Sequence, residues 1–172
     1  LTAAMTDLAA ICERRVDRMV NPNLQEPHLP PFLTAESGLR SGYMIAQYTA
    51  ASLVNECRSL GRAATDNTPV SGGQEDHVSM SAQAAHHART AVDNATAVVA
   101  VELLCGAQAM EFVDDDLAPG AGTAAAYDAV GELVDPLDAD RELAPEMDRV
   151  AALVSAGMLD DAVSESLSSS LE

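Results

Sequence analysis

Apolar residues recur at the spacing of an α-helix along most of the chain. The helices that this pattern predicts are residues 3–20, 41–62, 76–112, 123–134 and 145–158. Four prolines interrupt residues 21–36, and Pro69 with Gly72 and Gly73 interrupts residues 63–75, so both segments are predicted to be loops. No segment alternates between apolar and polar positions as a strand would, and the serine-rich end is expected to fray. The sequence therefore predicts an all-α protein, a bundle of long helices.

The first two predicted helices are amphipathic, and each has apolar positions that are expected to face a core. These positions are Leu8, Ile11, Cys12, Val16, Met19 and Val20 in the first helix and Met44, Ile45, Tyr48, Leu53, Val54 and Leu60 in the second. The charged residues on the opposite, solvent-facing side of the first helix are Glu13, Arg14, Asp17 and Arg18. Like charges stand one turn apart in this set and repel each other, so the helix is expected to depend on packing.

The composition favours a folded helical protein. Apolar residues make up 48% of the chain, which is enough for a core, and aromatic residues make up 3%, a mixture that suits helices better than sheets. No run of 18 apolar residues and no signal-peptide pattern occurs, so neither a membrane span nor secretion is expected. Cys12, Cys57 and Cys105 stand far apart without metal-binding spacing, which favours a reducing, cytoplasmic compartment.

The chain is strongly acidic, with 27 acidic and 9 basic residues, a formal net charge of −18, and no lysine. This balance argues against binding to nucleic acid or to anionic membranes. Residues 1–110 carry a net charge of −4 and residues 111–172 one of −14, so the second segment repels itself unless salt screens it. These features favour a protein of a halophile over a mesophile protein with a solvated tail. The sequence also predicts a division into a helical bundle segment, 1–112, and an acidic helical segment, 113–172.

Residues 74–77, Gln-Glu-Asp-His, form the most suggestive polar cluster. They follow two glycines, which let a backbone approach another surface closely, and they are predicted to open a helix. The helix dipole favours a carboxylate at a helix N-terminus, where it could hold a ligand amine or imidazole. A purely structural interpretation fits as well, with Ser71 and Gln74 as a capping box and Asp76 as the N-cap.

The remaining polar clusters predict no metal site. His77, His86 and His87 do not share one helix face at a metal-ligand spacing. Residues 114–116 lack the spacing and the distal glutamate of a calcium loop. Met44 and Tyr48 stand one turn apart, which is ordinarily the mark of core residues.

Four motifs, taken in their order and spacing, carry a resemblance to a known family. They are Glu13-Arg14-Arg15-Val16-Asp17-Arg18, Leu29-Pro30-Pro31-Phe32-Leu33, Gly38-Leu39-Arg40-Ser41-Gly42-Tyr43-Met44-Ile45 and Gln74-Glu75-Asp76-His77-Val78-Ser79-Met80. Residues 8–112 resemble the C-terminal part of the histidine ammonia-lyases, in the aromatic amino acid lyase family, and the remainder does so loosely. Arg40 stands where the family usually has asparagine, and Tyr43 where it has phenylalanine. The resemblance implies long helices bundled into a homotetramer whose active sites combine residues of several subunits.

The resemblance also implies an activity, the elimination of ammonia from L-histidine to give trans-urocanate. It identifies Glu75 as the catalytic residue, which holds the imidazole or assists proton transfer. It places Met44 in the substrate pocket, with Gln74 and His77 as further substrate-binding residues. Relatives that act on phenylalanine commonly carry glutamine and lysine at the positions of Glu75 and Met44, so this pair favours histidine.

The family's cofactor, a methylideneimidazolone, forms from an internal Ala-Ser-Gly sequence that this chain does not contain. The cofactor is therefore expected in a part of the enzyme outside this chain, and the isolated chain is expected to be inactive. Two alternatives stay open. One is a non-catalytic helical remnant that keeps only the oligomerising helices, and the other is a different aromatic amino acid lyase or aminomutase.

Overall fold

The computed structural model describes residues 1–64, 69–75, 77–114 and 116–169, and within these ranges it contains six α-helices and no strand. The helices are α1 (Thr2–Val20), α2 (Met44–Ser59), α3 (Ser81–Met110), α4 (Ala121–Gly131), α5 (Ala144–Ser155) and α6 (Met158–Ser169). Single 3-10 turns, Pro31–Leu33 and Ser71–Gly73, fall inside the two predicted loops. The all-α prediction is confirmed.

The centre of the molecule is α3, a helix of 30 residues that contacts α1, α2, α4 and α5. Ala91, Ala95 and Ala100 of α3 are fully buried, and their small side chains let neighbouring helices approach closely. By length and composition α3 could also cross a membrane, but the core helix of a globular protein has the same properties. Its packing against four other helices is that of a core helix.

The third helix begins at Ser81 rather than near residue 76, so the prediction that Glu75 lies at a helix N-terminus is wrong. Glu75 exchanges backbone hydrogen bonds with Val70 instead. The Val70 amide donates to the Glu75 carbonyl at 2.9 Å, and the Glu75 amide donates to the Val70 carbonyl at 3.3 Å. These bonds close a tight loop and engage the Glu75 carbonyl, which would accept the first intrahelical bond of a helix starting there.

The structural interpretation of this stretch required the same helix start and is also wrong. Ser71 and Gln74, the expected capping box, lie in and directly after the 3-10 turn, and Ser71 has a positive φ of 59°. The helix that follows has Met80 at its N-cap position, without a side-chain cap. Asp76, the expected N-cap, lies outside the described residues.

The C-terminal end is helical where a frayed tail was expected. The predicted helix 145–158 ends as α5 at Ser155, Gly157 adopts a left-handed φ of 74°, and α6 continues to Ser169. Packing explains the difference, because α6 lies against α4, with Gly122 close to Val163. The serines and aspartates of this segment have low helix propensity, so its pattern does not predict the helix.

Part of the predicted core of α1 and α2 faces solvent. Cys12, Val16, Val20 and Val54 are buried as predicted. The expected core residues that are 44–69% exposed instead are Leu8, Ile11, Ile45 and Tyr48. Since α1 and α2 contact each other, exposed apolar side chains occur on two neighbouring helices.

The C-terminal segment shares the core of the bundle. Both α4 and α5 contact α3, and Val130, Leu137 and Val150 belong to the same cluster of buried residues as the core of α1 and α3. The division at residue 112 stays a prediction. The packing shows that α4 and α5, which lie beyond residue 112, contact the core of the bundle directly.

Candidate functional site

The proline-rich loop contains a strained turn. In the 3-10 turn Pro31–Leu33, Phe32 has a φ of 57° and Leu33 one of 56°, a left-handed conformation that residues with side chains seldom adopt. Each such residue costs about 1–3 kcal/mol and persists where surrounding contacts impose it. Here the Tyr43 amide donates to the Phe32 carbonyl at 2.9 Å, and the Gln108 side chain donates to the Leu33 carbonyl at 3.3 Å. The turn is therefore held from both α2 and α3.

Gly42, just before α2, lies directly against that turn. Its φ is +54°, and a Cβ atom there would collide with the Phe32 carbonyl oxygen, so the position requires glycine on two grounds. The Ser41 and Gly42 amides donate to the Asp140 carboxylate at 2.8 and 2.9 Å. These two bonds, together with the nearby Arg40 guanidinium, hold the pKa of Asp140 below its usual range.

The face of α1 that was predicted to be solvated carries two buried carboxylates. Glu13 and Asp17 are only 5% and 7% exposed. Arg14 bridges them, with its Nε 2.6 Å from Glu13 Oε2 and its Nη1 3.2 Å from Asp17 Oδ2. Gln47 donates to Asp17 Oδ1 at 2.7 Å, and Asn21 donates to the same oxygen at 3.1 Å. The prediction is wrong for Glu13 and Asp17, whose buried charge is compensated by donors from α1, from Asn21 and from α2, whereas Arg14 and Arg18 are exposed as predicted.

A cleft of about 480 Å³ lies among the end of α1, the strained turn and the start of α2. Its lining includes Asp17, Asn21, Phe32, Met44, Gln47 and Tyr48. Met44 is half-buried and Tyr48 is 69% exposed, so the interpretation of this pair as core residues is wrong. Both side chains instead border the cleft, where Phe32 and Met44 give it an apolar side opposite the polar groups of α1.

The other predicted site residues lie elsewhere. Gln74, Glu75 and His77 are solvent-exposed and are not among the residues that line this cleft. Glu75 lies in the tight loop that its backbone forms with Val70. The structure thus places Met44 in the cleft and the other three predicted residues outside it, and the roles of all four stay predictions.

The cleft can contact a small ligand along one side but holds little reactive chemistry. Both of its buried carboxylates are already engaged by donors of the chain, so neither is a free base. Within the described ranges, no three histidine, cysteine, aspartate or glutamate side chains are grouped to hold a metal ion. The residues that sequence reasoning missed are Asp17 and Gln47, which line the cleft and bond to each other, and Asp140, which binds the Ser41 and Gly42 amides.

Comparison with known proteins identifies the family. The family model described as aromatic amino acid lyase matches residues 1–132. This match covers well over half of the chain and includes both the cleft and the Gln74–Glu75 loop. The chain therefore belongs to the aromatic amino acid lyase family.

Curated relatives match almost the whole chain. A probable histidine ammonia-lyase of Halobacterium salinarum is 61% identical over 169 residues, which are 98% of this chain and 32% of the relative. The histidine ammonia-lyase of Symbiobacterium thermophilum is 51% identical over 165 residues, 95% of this chain and 32% of the relative. The chain thus spans about a third of the length of the curated relatives it matches.

Solved structures share the fold. Histidine ammonia-lyase from Trypanosoma cruzi superposes with a TM-score of 0.90 at 34% identity, covering 96% of this chain and 32% of that one. Tyrosine aminomutase from Streptomyces globisporus gives a TM-score of 0.91 at 36% identity, covering 96% and 31%. The helical arrangement is therefore common to members with different reactions.

Proposed function

We propose that this chain is the C-terminal portion of a histidine ammonia-lyase, an enzyme that eliminates ammonia from L-histidine to give trans-urocanate. The observation that carries the proposal is the 61% identity to a probable histidine ammonia-lyase across 98% of the chain. The joint presence of Met44 and Glu75 supports histidine as the substrate, since family members that act on phenylalanine commonly differ at both positions.

Met44 and Glu75 have separate roles in this proposal. Met44 borders the cleft beside Phe32 and gives the substrate ring an apolar contact. Glu75 is an exposed carboxylate on a tight loop, where it binds the imidazole or transfers a proton. Gln74 and His77 flank it as further substrate-binding residues. In this proposal Met44 and Glu75 contact the same substrate molecule and do not contact each other.

The methylideneimidazolone electrophile comes from outside this chain in the complete enzyme. When present, that group supplies the electrophilic centre that the reaction needs. Its precursor, Ala-Ser-Gly, does not occur in these 172 residues, so the chain cannot form the group from its own sequence. What this chain contributes is the apolar contact of Met44 and the carboxylate of Glu75.

The complete enzyme is proposed to be a cytoplasmic homotetramer of a halophile, with active sites shared between subunits. Exposed Leu8, Ile11 and Ile45 support assembly, because apolar side chains on neighbouring helices are favourable contact surfaces. The net charge of −18 without lysine, and the similarity to a Halobacterium salinarum protein, support the halophile.

The proposal is tested with a chimaera in which this chain replaces the matching 169 residues of the Halobacterium salinarum relative. Purified chimaera in molar salt is expected to release urocanate and ammonia from L-histidine, and the isolated chain is expected to release neither. A soluble, folded chimaera without turnover would contradict the proposal, provided the unaltered relative is active in parallel.

A second candidate is an aminomutase, which the tyrosine aminomutase structure favours with 36% identity. The same chimaera separates the two reactions when it is given L-tyrosine and L-histidine in turn. A lyase releases ammonia and an unsaturated acid from histidine, whereas an aminomutase returns a β-amino acid with its nitrogen retained. If the chain is instead a non-catalytic helical remnant, the chimaera is expected to convert neither substrate.

A further inference from the structure

The backbone just before α2 is held from a distant part of the chain. Ser41 and Gly42 precede Tyr43, the N-cap residue, whose own side chain makes no capping hydrogen bond. The carboxylate of Asp140 accepts hydrogen bonds from the Ser41 and Gly42 amides at 2.8 and 2.9 Å, across a separation of about 99 residues. The acceptor of these bonds therefore belongs to the acidic C-terminal segment and lies beyond residue 132, where the family match ends.

A second contact ties the same segment to the strained turn. The Leu137 amide donates to Gln108 Oε1 at 2.8 Å, and Gln108 Nε2 donates to the Leu33 carbonyl at 3.3 Å. Both Leu137 and Gln108 are buried, so these bonds are shielded from water. Residues 137–140 thus reach two of the three elements around the cleft, the start of α2 directly and the strained turn through Gln108.

The segment is itself held in shape. Arg141 donates to a Glu146 carboxylate oxygen at 2.6 Å and to the Pro136 carbonyl at 3.0 Å. Glu146 is only 7% exposed and lies in the first turn of α5, so its bond to Arg141 holds the Arg141 guanidinium against the start of that helix. Asp140 is therefore presented to α2 by a braced loop rather than by a free tail.

From this arrangement we infer that Asp140 is a positioning residue for the substrate cleft. Its carboxylate fixes the Ser41 and Gly42 amides, Gly42 in turn lies against Phe32, and Met44 opens α2 two residues later. Asp140 does not line the cleft and acts through Phe32 and Met44. The inference rests on the proposed function, because it assigns Met44 to the substrate site.

The test uses the chimaera described above with Asp140→Ala, and with Asp138→Ala as the matched control. Asp138 is exposed in the same segment and carries the same charge. We expect kcat/KM for L-histidine to fall by about 10- to 100-fold in Asp140→Ala, mostly through KM, since displaced positioning groups have effects of this size. Asp138→Ala is expected to stay within twofold of the unsubstituted chimaera.

Two further measurements separate positioning from simple loss of stability. Asp140→Asn keeps one acceptor oxygen, so it is expected to recover part of the lost kcat/KM and to slow amide exchange at Ser41 and Gly42 relative to Asp140→Ala. Because Asp140 acts through Met44, the Asp140→Ala/Met44→Leu double variant is expected to lose less than the product of the two single losses.

The outcomes distinguish this inference from the proposed function. An inactive unsubstituted chimaera overturns the proposed function and the inference with it. An active chimaera in which Asp140→Ala lowers the melting temperature but leaves KM unchanged overturns the inference alone. So does a double variant whose losses multiply. A KM increase with partial recovery in Asp140→Asn supports it.

Discussion

Gly42 lies between the C-terminal segment, the strained turn and the start of α2. Asp140 binds its amide, the Phe32 carbonyl accepts the following amide, and Met44 begins α2 two residues later. Its left-handed backbone and the nearby carbonyl leave no room for a side chain. Adding a single methyl group at Gly42 therefore tests how tightly the strained turn packs against the start of α2.

Gly42→Ala is expected to lower the free energy of unfolding by about 1–3 kcal/mol, from backbone strain and displacement of the turn. For a chain of this size the melting temperature should fall by about 2–12 °C. Gly131→Ala is the matched control, since a Cβ atom there meets open space and φ is not positive. Equal melting temperatures for the two variants would contradict the geometry at Gly42.

Glu75→Gln is expected to separate substrate binding from stability. Loss of a charge-assisted hydrogen bond to imidazole is worth about 1.5–3 kcal/mol, and loss of proton transfer lowers the rate by about 10²- to 10⁴-fold. Because Glu75 is exposed and outside any helix, the melting temperature of the Glu75→Gln variant should hardly change. Both kcat/KM for L-histidine and the melting temperature are measured in the chimaera, with exposed Glu132→Gln as the control. Normal kinetics for Glu75→Gln would show that Glu75 is not a site residue.

The sequence predicts single residues best where chemistry is local. The motif around Met44 indicates a substrate pocket, and the structure places Met44 in the cleft. Helical periodicity separates charged from apolar faces and so predicts that Asp17 faces solvent. In the structure Asp17 is buried, because hydrogen bonds from Arg14 and Gln47 compensate its charge. Asp140 gives no local signal, because its partners are brought together only by the fold.

At the scale of elements, periodicity places α1 and α2 within three residues of their ends. It fails at α3, which begins at Ser81, because backbone bonds between Val70 and Glu75 close residues 70–75 into a tight loop. It also fails at α6, where packing against α4 outweighs weak intrinsic propensity. Both errors arise because tertiary contacts and loop closure compete with local preference.

The bonds from the Ser41 and Gly42 amides to Asp140 predict that stability depends on pH. The pKa of Asp140 is below its ordinary value of 3.8, chiefly because the Ser41 and Gly42 amides bind its charged form. This contribution to stability is therefore complete above the ordinary pKa and is lost as pH falls from about 4 through the lowered value. The melting temperature of the chain should exceed that of Asp140→Asn by a constant amount between pH 5 and 7. Below pH 4 the difference should shrink, and a difference independent of pH would contradict the binding of a charged Asp140 to the two amides.

At the scale of the whole molecule, charge is concentrated in residues 111–172, which carry a net −14. Within this segment α4 and α5 pack on α3 and Asp140 binds the Ser41 and Gly42 amides, so mutual repulsion in the segment opposes contacts near the cleft. At about 1 M salt the Debye length is about 3 Å, and most of this repulsion is screened.

The melting temperature is therefore expected to rise between low and molar potassium chloride. A thermal melt series across that range tests this, with the charge-reduced variant Asp160→Asn/Asp161→Asn as the comparison. These substitutions remove two charges from the first turn of α6, so the variant should depend less on salt. A melting temperature that is flat or falls with salt would remove the argument for a halophile.

The central claim, that this chain forms part of a histidine ammonia-lyase, is tested most directly by the rate of urocanate formation. Three proteins are compared in molar salt with L-histidine: the chimaera, the unaltered Halobacterium salinarum relative and the isolated chain. We expect the chimaera to retain kcat/KM within about tenfold of the relative, a loss of at most about 1.4 kcal/mol, and the isolated chain to show no turnover. A folded chimaera without urocanate formation, or turnover by the isolated chain, would contradict it.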